Sequence, residues 1–399
     1  MSSTAATTRA SASVQGVFSS LRVGGLELPN RVGVSPMCMY ASADGFATDF
    51  HLVHLGRFAL GGAGLVIMEA TAIDPRGRIS HHDTGAWSDE HVPGLERVAS
   101  FLAAHGAVPG IQLGHAGRRA SVNEPWAGGV PLTDQDAAAG TPPWQTVAPS
   151  AVPAGPGWPV SHALTLDEID RSIEQWRDAA ARAVAAGFRW IELHGAHGYL
   201  LHSFLSPVSN RRDDAFGGDA DRRMRYPLAV VQAIRNSIPA NVALAYRMSA
   251  VDGIADGLTI DDTAAFATHL AAAGVDLIDT SSGGITTDRS VDTRVRRGFA
   301  FHADFSHRLR EVVDIPVATV GFVVDPAQAR LLIQHGDADL VLLGREMLDD
   351  PNWALHARRA LDADEFAHWN VRYGSALQPR AKTLARLADS GETPLSRFT

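Results

Sequence analysis

The chain has 399 residues, enough for one large domain or for two or three smaller ones. Hydrophobic residues make up 45% and charged residues 20%, a balance that argues against wholesale disorder and can bury a large core. The formal charge of −9 gives no reason to expect nucleic acid or an anionic membrane as partner, and the single cysteine, Cys38, excludes an intrachain disulfide and a cysteine-rich metal cluster.

A small-molecule protein in a reducing, cytoplasmic setting is therefore the expectation. Residues 1–15 are rich in Ser, Ala and Thr, lack the apolar stretch of a secretory signal, and read as a disordered tail. Nothing later approaches a run of about eighteen apolar residues, so no membrane span is expected. Residues 21–28 alternate around Gly24-Gly25 and read as a hairpin capping the floor of the domain that follows. Beyond it, eight short apolar or β-branched runs occur at 31–36, 64–70, 108–113, 189–194, 242–248, 275–280, 316–320 and 338–343. Helical patterns alternate with them at 50–60, 92–104, 167–186, 221–234, 261–273, 303–312, 326–334 and 351–360. Thr165 three residues before Glu168, and Asp325 before Pro326, are helix start signals.

Eight such pairs predict an α/β fold, a (β/α)8 TIM barrel over residues 16–362. A doubly wound sheet has about five or six strands and a glycine-rich first turn, which this sequence lacks. Residues 119–161, rich in Pro, Gly and Ala, carry Trp126, Trp144 and Trp158. They are too many for an ordinary connection and are predicted to be a loop insertion after strand 3, over the catalytic face, its tryptophans serving as lid packing. Residues 363–399 remain as a C-terminal extension.

Active sites of this fold are built where the strands end. The first end carries Ser35-Pro36-Met37-Cys38-Met39-Tyr40, the second Glu69-Ala70-Thr71, and the third Gln112 with His115 and Arg118. The fourth carries His194, His197 and Tyr199, the fifth Arg247, the sixth Ser281-Ser282-Gly283-Gly284, the seventh Gly321, and the eighth Gly344-Arg345. The late glycines, each followed by a helix, suit a phosphate held on backbone N–H groups beside Arg345, although any one glycine more often only turns the chain. His194 and His197 suit either an oxyanion-binding pair with Tyr199 as proton donor, or zinc ligation. With no second cysteine and no carboxylate nearby in sequence before Asp213, the metal reading is the weaker. Arg247 needs an anionic partner: an electron-rich cofactor ring, or an acid on a neighbouring strand.

These same segments resemble the old yellow enzyme family, in its bacterial branch, over residues 17–360. The most specific piece is His194-Gly-Ala-His197-Gly-Tyr199-Leu-Leu-His202-Ser-Phe-Leu-Ser-Pro-Val-Ser-Asn-Arg-Arg212 with Phe216-Gly-Gly218; Ser35 to Tyr40, Glu69-Ala-Thr71, Gln112 with His115 to Arg118, and Asp279 to Gly283 add to it. The resemblance implies FMN across the barrel mouth, reduced by NADPH or NADH. Ser35 is then a cofactor contact, Pro36, Met37 and Cys38 line the ring near its N5, and Cys38 tunes its potential. Ala70 and Gln112 reach the pyrimidine edge, and Arg247 faces N1 and O2. Ser282, Gly283, Gly321, Gly344 and Arg345 surround the phosphate. His194 and His197 bind the substrate's activating oxygen, Tyr199 gives the proton, and Tyr40 contacts substrate. The implied reaction is ping-pong reduction of activated C=C bonds, by a homo-oligomer, dimer or tetramer. The tail departs from the family's Tyr-x-Arg pattern at residues 371–375, where Arg372 or Arg380 would have to substitute. A flavin-free phosphate-binding barrel, a zinc hydrolase using His194 and His197, and a non-catalytic flavoprotein are the rival readings.

Overall fold

The computed structural model describes residues 16–288, 290–291, 295–362 and 366–397, so the expected disordered tail at 1–15 lies outside it. The eight apolar runs form strands β1 (Val32–Val34), β2 (Leu65–Ala72), β3 (Val108–Gly114), β4 (Trp190–Gly195), β5 (Ala243–Ser249), β6 (Leu277–Ser281), β7 (Val317–Val320) and β8 (Leu340–Leu343). Each pairs in parallel with its sequence neighbours, and β8 pairs with β1 to close the barrel. Parallel neighbours need crossovers, and seven of the eight expected helices supply them: α1 (Asp49–Leu60), α2 (Val92–Ala104), α3 (Leu166–Ala185), α4 (Ala220–Ser237), α5 (Ile260–Ala272), α6 (Ala303–Arg310) and α7 (Pro326–Gln334), while the eighth, α8 (Trp353–Asp362), follows β8. Thr165 and Glu168 form the capping box that starts α3, and Asp325 caps α7 ahead of Pro326.

Side-chain alternation splits the strands into two faces. Val66, Ile111, Ile191, Leu244, Ile278 and Val341 point outward into one core with Phe58, Trp176, Val230, Phe266 and Trp353 of the helices. Leu65, Ile67, Trp190, Ala243, Ala245, Leu277, Leu340 and Leu342 point inward, and there they meet Leu21, Val23, Leu26 and Leu28 of the hairpin. The hairpin strands, Leu21–Val23 and Leu26–Leu28, pair antiparallel and plug the barrel floor as expected. Gly24 turns it at φ +55, where a Cβ would sit 2.4 Å from Asp276 Oδ1, so both backbone shape and space demand glycine.

The insertion after β3 folds back over the C-terminal end of the barrel. Val122 N–H donates to Ile79 O at 2.9 Å, and Arg118, buried, donates to the carbonyls of Pro153 and Ile285. Ile79, Ala116, Ala120 and Val122 thereby make a small apolar patch against which Cys38, Tyr40, Trp144, Trp158 and Tyr199 pack. Four α-helices among the described residues were not expected from sequence: Asp134–Ala138 within the insertion, Leu200–Leu205 after β4, Arg345–Asp349 after β8, and α9 (Val371–Asp389) in the C-terminal extension. Arg372 and Arg380 of α9 line clefts on the outside of the barrel with Arg57 and Arg359, not its mouth.

Leu28 is fully buried in the floor plug, so Leu28→Ala removes apolar surface and leaves a cavity. The expected loss is about 2–4 kcal/mol in denaturant unfolding; an unchanged midpoint would mean that the hairpin is not part of the core.

Candidate active site

A charged layer lies directly under the barrel mouth. On β4 the inward face reads Trp190, Glu192, His194; on β5 it reads Ala245, Arg247; on β6 it reads Leu277, Asp279, Ser281. Register sets His194 and Asp279 on either side of Arg247. Arg247 Nε lies 3.2 Å from Asp279 Oδ2, an ion pair whose angle does not make a hydrogen bond, and Nη1 donates to Ser35 Oγ at 3.1 Å. The neighbouring strand's acid, one of the two partners considered for Arg247, pairs with it, and the guanidinium Nε makes no hydrogen bond.

Next to this pair, Gln112 Nε2 donates to Glu192 Oε1 at 2.8 Å. Burial pushes Glu192 up to about 8, with the Asp279 charge adding and Arg247 opposing. One guanidinium cannot neutralise two buried carboxylates, so at neutral pH Glu192 keeps its proton. This bond uses one of the two N–H donors of the Gln112 amide.

Above this layer stand His194 and His197, ring centres 5.0 Å apart, and Tyr199, whose ring is 4.5 Å from His194. Burial pulls both imidazoles well below their ordinary value, so both are neutral. Burial raises the Tyr199 phenol, so it holds its proton; the Arg119 guanidinium, 6.0 Å from that ring, opposes the rise. Arg119 also donates to the carbonyls of His197 at 2.8 Å and Gly284 at 3.0 Å. His197 has φ +59, a left-handed backbone that this clamp holds in place.

The loop after β1 is held from β2. The β2–β3 ladder is irregular between Met68 and Ala70, and Glu69 Oε2 accepts from Met39 N–H at 2.8 Å. Tyr40, at φ +53, meets Trp126 edge-on at 5.8 Å. Burial keeps Cys38 protonated well above the usual thiol range, so it is a thiol, not a thiolate. Ala70 is adjacent to His194 across Gly114: a Cβ there would lie 3.6 Å from that of Ala70 and 3.7 Å from that of His194. Pro36 and Met37 are partly exposed on the same loop, and Met37 Sδ lies against Gly344.

Of the five expected phosphate contacts, three converge. Gly321, Gly344 and Arg345 line one cavity of about 210 Å³ with Val320 and Phe322, and Arg345 stacks over Phe322 at 4.6 Å. A Cβ at Gly321 would lie 2.8 Å from the Phe301 ring, so glycine keeps this wall thin. The other two are turned elsewhere. Gly283 N–H donates to Val251 O at 2.8 Å. Ser282 Oγ lies 2.8 Å from His302 Nε2, and since His302 Nδ1 donates to Val320 O, the serine is the donor.

For metal, the sequence argument that acids are distant needs correction, since Glu192 lies under the histidines and Asp252 bonds His202 at 2.8 Å. Among the described residues, however, no three His, Cys, Asp or Glu side chains converge on one point. Sequence reading quoted Glu69, Asp279 and Ser281 within its strand-end and resemblance segments without giving them a role, and it passed over Arg119 and Glu192. Period-two alternation back from His194 and Ser281 points to Glu192 and Asp279; Arg119 and Glu69 carry no such signal, because their partners, the carbonyls of His197 and Gly284 for the one and Met39 N–H and the Thr84 hydroxyl for the other, are distant in sequence.

A closed parallel barrel carries at its mouth a glycine-walled cavity beside Arg345, a buried cation and a neutral histidine pair, and comparison with known proteins places the chain in the class of FMN-linked, nicotinamide-dependent oxidoreductases. The model of the NADH:flavin oxidoreductase / NADH oxidase family matches residues 16–364, and the chain belongs to that family, the old yellow enzymes. Among its relatives, NADPH dehydrogenase of Geobacillus thermodenitrificans is 38% identical over 347 residues, covering 86% of this chain and 94% of the relative. NADPH dehydrogenase of Bacillus subtilis is 36% identical over 350 residues, covering 87% and 96%. Morphinone reductase superposes with a TM-score of 0.71 at 26% identity over 88% of this chain and 91% of its own, and a second structure of it, in complex with tetrahydroNAD, with 0.70. The protein is thus an oxidoreductase that takes FMN as cofactor and a nicotinamide coenzyme as reductant. The residues present fit that cofactor: the cavity at Gly321, Gly344 and Arg345 suits its phosphate, and the polar rim at Gln112 and Arg247 suits a ring with both donors and acceptors.

Glu192 binds a proton more tightly folded than unfolded, so its contribution to stability is complete below its ordinary value of 4.5 and is lost as pH rises to about 8. Glu192→Gln is expected to flatten the decline of unfolding free energy between those limits. Parallel curves for the variant and the parent protein would show that Glu192 does not titrate in this window.

Proposed function

We propose that the protein is an ene-reductase, reducing the activated C=C bond of α,β-unsaturated carbonyl or nitro compounds with hydride from NAD(P)H in a ping-pong cycle. The observation that carries this reading is the meeting of a second neutral imidazole, 5.0 Å away, and a protonated phenol, 4.5 Å away, around the His194 ring, above a buried cation. When bound, FMN supplies the two-electron chemistry, taking hydride from the nicotinamide in one half-reaction and giving it to the alkene in the other.

The chain's own groups do the rest. His194 and His197 hold the substrate's activating oxygen by hydrogen bonds, which draw electron density from the β-carbon and leave it electrophilic. Tyr199, whose phenol is protonated throughout the neutral range, delivers a proton to the α-carbon. Tyr40, across the apolar patch from Tyr199, packs against the substrate. Ser35, Pro36, Met37, Cys38, Ala70, Gln112 and Arg247 would hold the cofactor ring, with Gly321, Gly344 and Arg345 at its phosphate; Ser282 and Gly283 can join only if their present hydrogen bonds are exchanged. The barrel unit is residues 16–362. The extension at 363–399, which carries α9 on the outside of the barrel, is proposed as a subunit interface of a homo-oligomer working in the cytoplasm.

Replacing both histidines, His194→Ala with His197→Ala, is expected to leave FMN bound but to weaken phenol binding and acceptor reduction ~100-fold or more. An unaltered phenol titration would remove them as the oxyanion site. In Tyr199→Phe, flavin reduction by NADPH should keep its rate while reoxidation by poor acceptors slows; equal reoxidation rates would rule out Tyr199 as proton donor.

A further inference from the structure

Ser281, the last residue of β6, is buried, and its Oγ lies 2.7 Å from His197 Nε2. Nothing in the mechanism above uses it. Its importance follows from one backbone group. Ala196 N–H points at His194 Nδ1 at 3.3 Å, so Nδ1 accepts, and the proton of this neutral ring sits on Nε2. His194 Nε2 faces His197 Nδ1 at 3.3 Å, so Nδ1 of His197 also accepts and its proton sits on Nε2, where it is donated to Ser281 Oγ. The chain of bonds therefore runs in one direction, from Ala196 through both rings to Ser281. Reversing it would set two N–H groups against each other at Ala196.

In this resting arrangement only His194 offers an N–H toward the space between the rings. His197 offers a lone pair there, which repels a carbonyl oxygen. The His197 backbone is held at both ends, its N–H by Ser249 Oγ at 3.1 Å and its carbonyl by Arg119 at 2.8 Å, so the ring stays beside Ser281.

We propose that Ser281 is a positioning residue that sets the tautomer of His197: it accepts from Nε2 when the site is empty and donates to Nε2 when an oxygen ligand is bound. The ligand oxygen takes the His194 Nε2–H, which releases His197 from its neighbour. His197 then loses its Nε2 proton to water and gains one on Nδ1 from water, with no net change in charge. The serine hydroxyl turns about its Cβ–Oγ bond and donates to the bared Nε2. Both imidazoles now donate to the oxygen. A hydroxyl can play both parts because it carries one donor and two acceptor lone pairs; alanine can play neither.

This inference rests on the reading of the histidines as the oxygen-binding pair. The test uses oxidised holoenzyme with ¹⁵N-labelled histidine and cyclohexanone, a carbonyl that cannot be reduced at carbon–carbon. The His197 ring nitrogens, assigned by comparison with His197→Gln, should report Nε2–H in the free protein and Nδ1–H with cyclohexanone bound. Ser281→Ala should weaken cyclohexanone about tenfold, the loss of one hydrogen bond, and Ser281→Thr, which keeps the hydroxyl, should restore it. If cyclohexanone binds and His197 keeps Nε2–H, the role of Ser281 is wrong while the oxygen-binding pair stands. If cyclohexanone does not bind the parent protein and 2-cyclohexenone is not reduced, both fail together.

Discussion

The ion pair between Arg247 and Asp279 fixes the electrostatics of everything above it. Closing eight parallel strands into a barrel buries whatever their inward faces carry, and here they carry a guanidinium and a carboxylate 3.2 Å apart at the level where the core ends. Removing either partner would leave an uncompensated charge in a low-dielectric interior, a loss of about 3–5 kcal/mol in comparable cases. With both present, the net charge of the layer is close to zero only if Glu192 holds its proton. Glu192 in turn orients Gln112, which gives it one of its two amide N–H donors.

The same layer explains why the histidines are neutral. Burial is the larger cause, and Arg247 beneath them adds to it, so a second or third positive charge is not tolerated at the mouth. Neutral imidazoles donate and accept one bond each, which makes the direction of the bond chain from Ala196 to Ser281 a definite property of the site. Around it, the loops are held by groups outside the chemistry. Glu69 grips the loop of Cys38 and Tyr40, Arg119 grips the backbone of His197, and the insertion after β3 packs against Cys38, Tyr40 and Tyr199.

Much of this was legible in the sequence. The alternation of short apolar runs with helical patterns gave the barrel because each βα pair repeats the same two periodicities, and glycine or polar clusters at strand ends marked the mouth. His194, His197 and Tyr199 stood out because they are close in sequence as well as in space. Glu192 and Asp279 did not, since charges inside apolar strands read as interruptions of a core until the alternation is carried down from the strand ends. The fate of Ser282 was also hidden: its partner His302 is twenty residues away in a long connection. Helix α9 escaped because Pro379 sits inside it and only Gly374 is buried, so neither propensity nor an apolar face announces it.

We propose that the histidine pair and the phenol turn this flavin oxidoreductase toward activated alkenes. This proposal is tested most directly by the visible spectrum of the purified protein under nitrogen. NADPH should bleach the flavin absorbance, and 2-cyclohexenone, added without oxygen, should restore it with one equivalent of cyclohexanone formed per flavin. A flavin that bleaches with NADPH but recovers only when air is admitted would contradict the account.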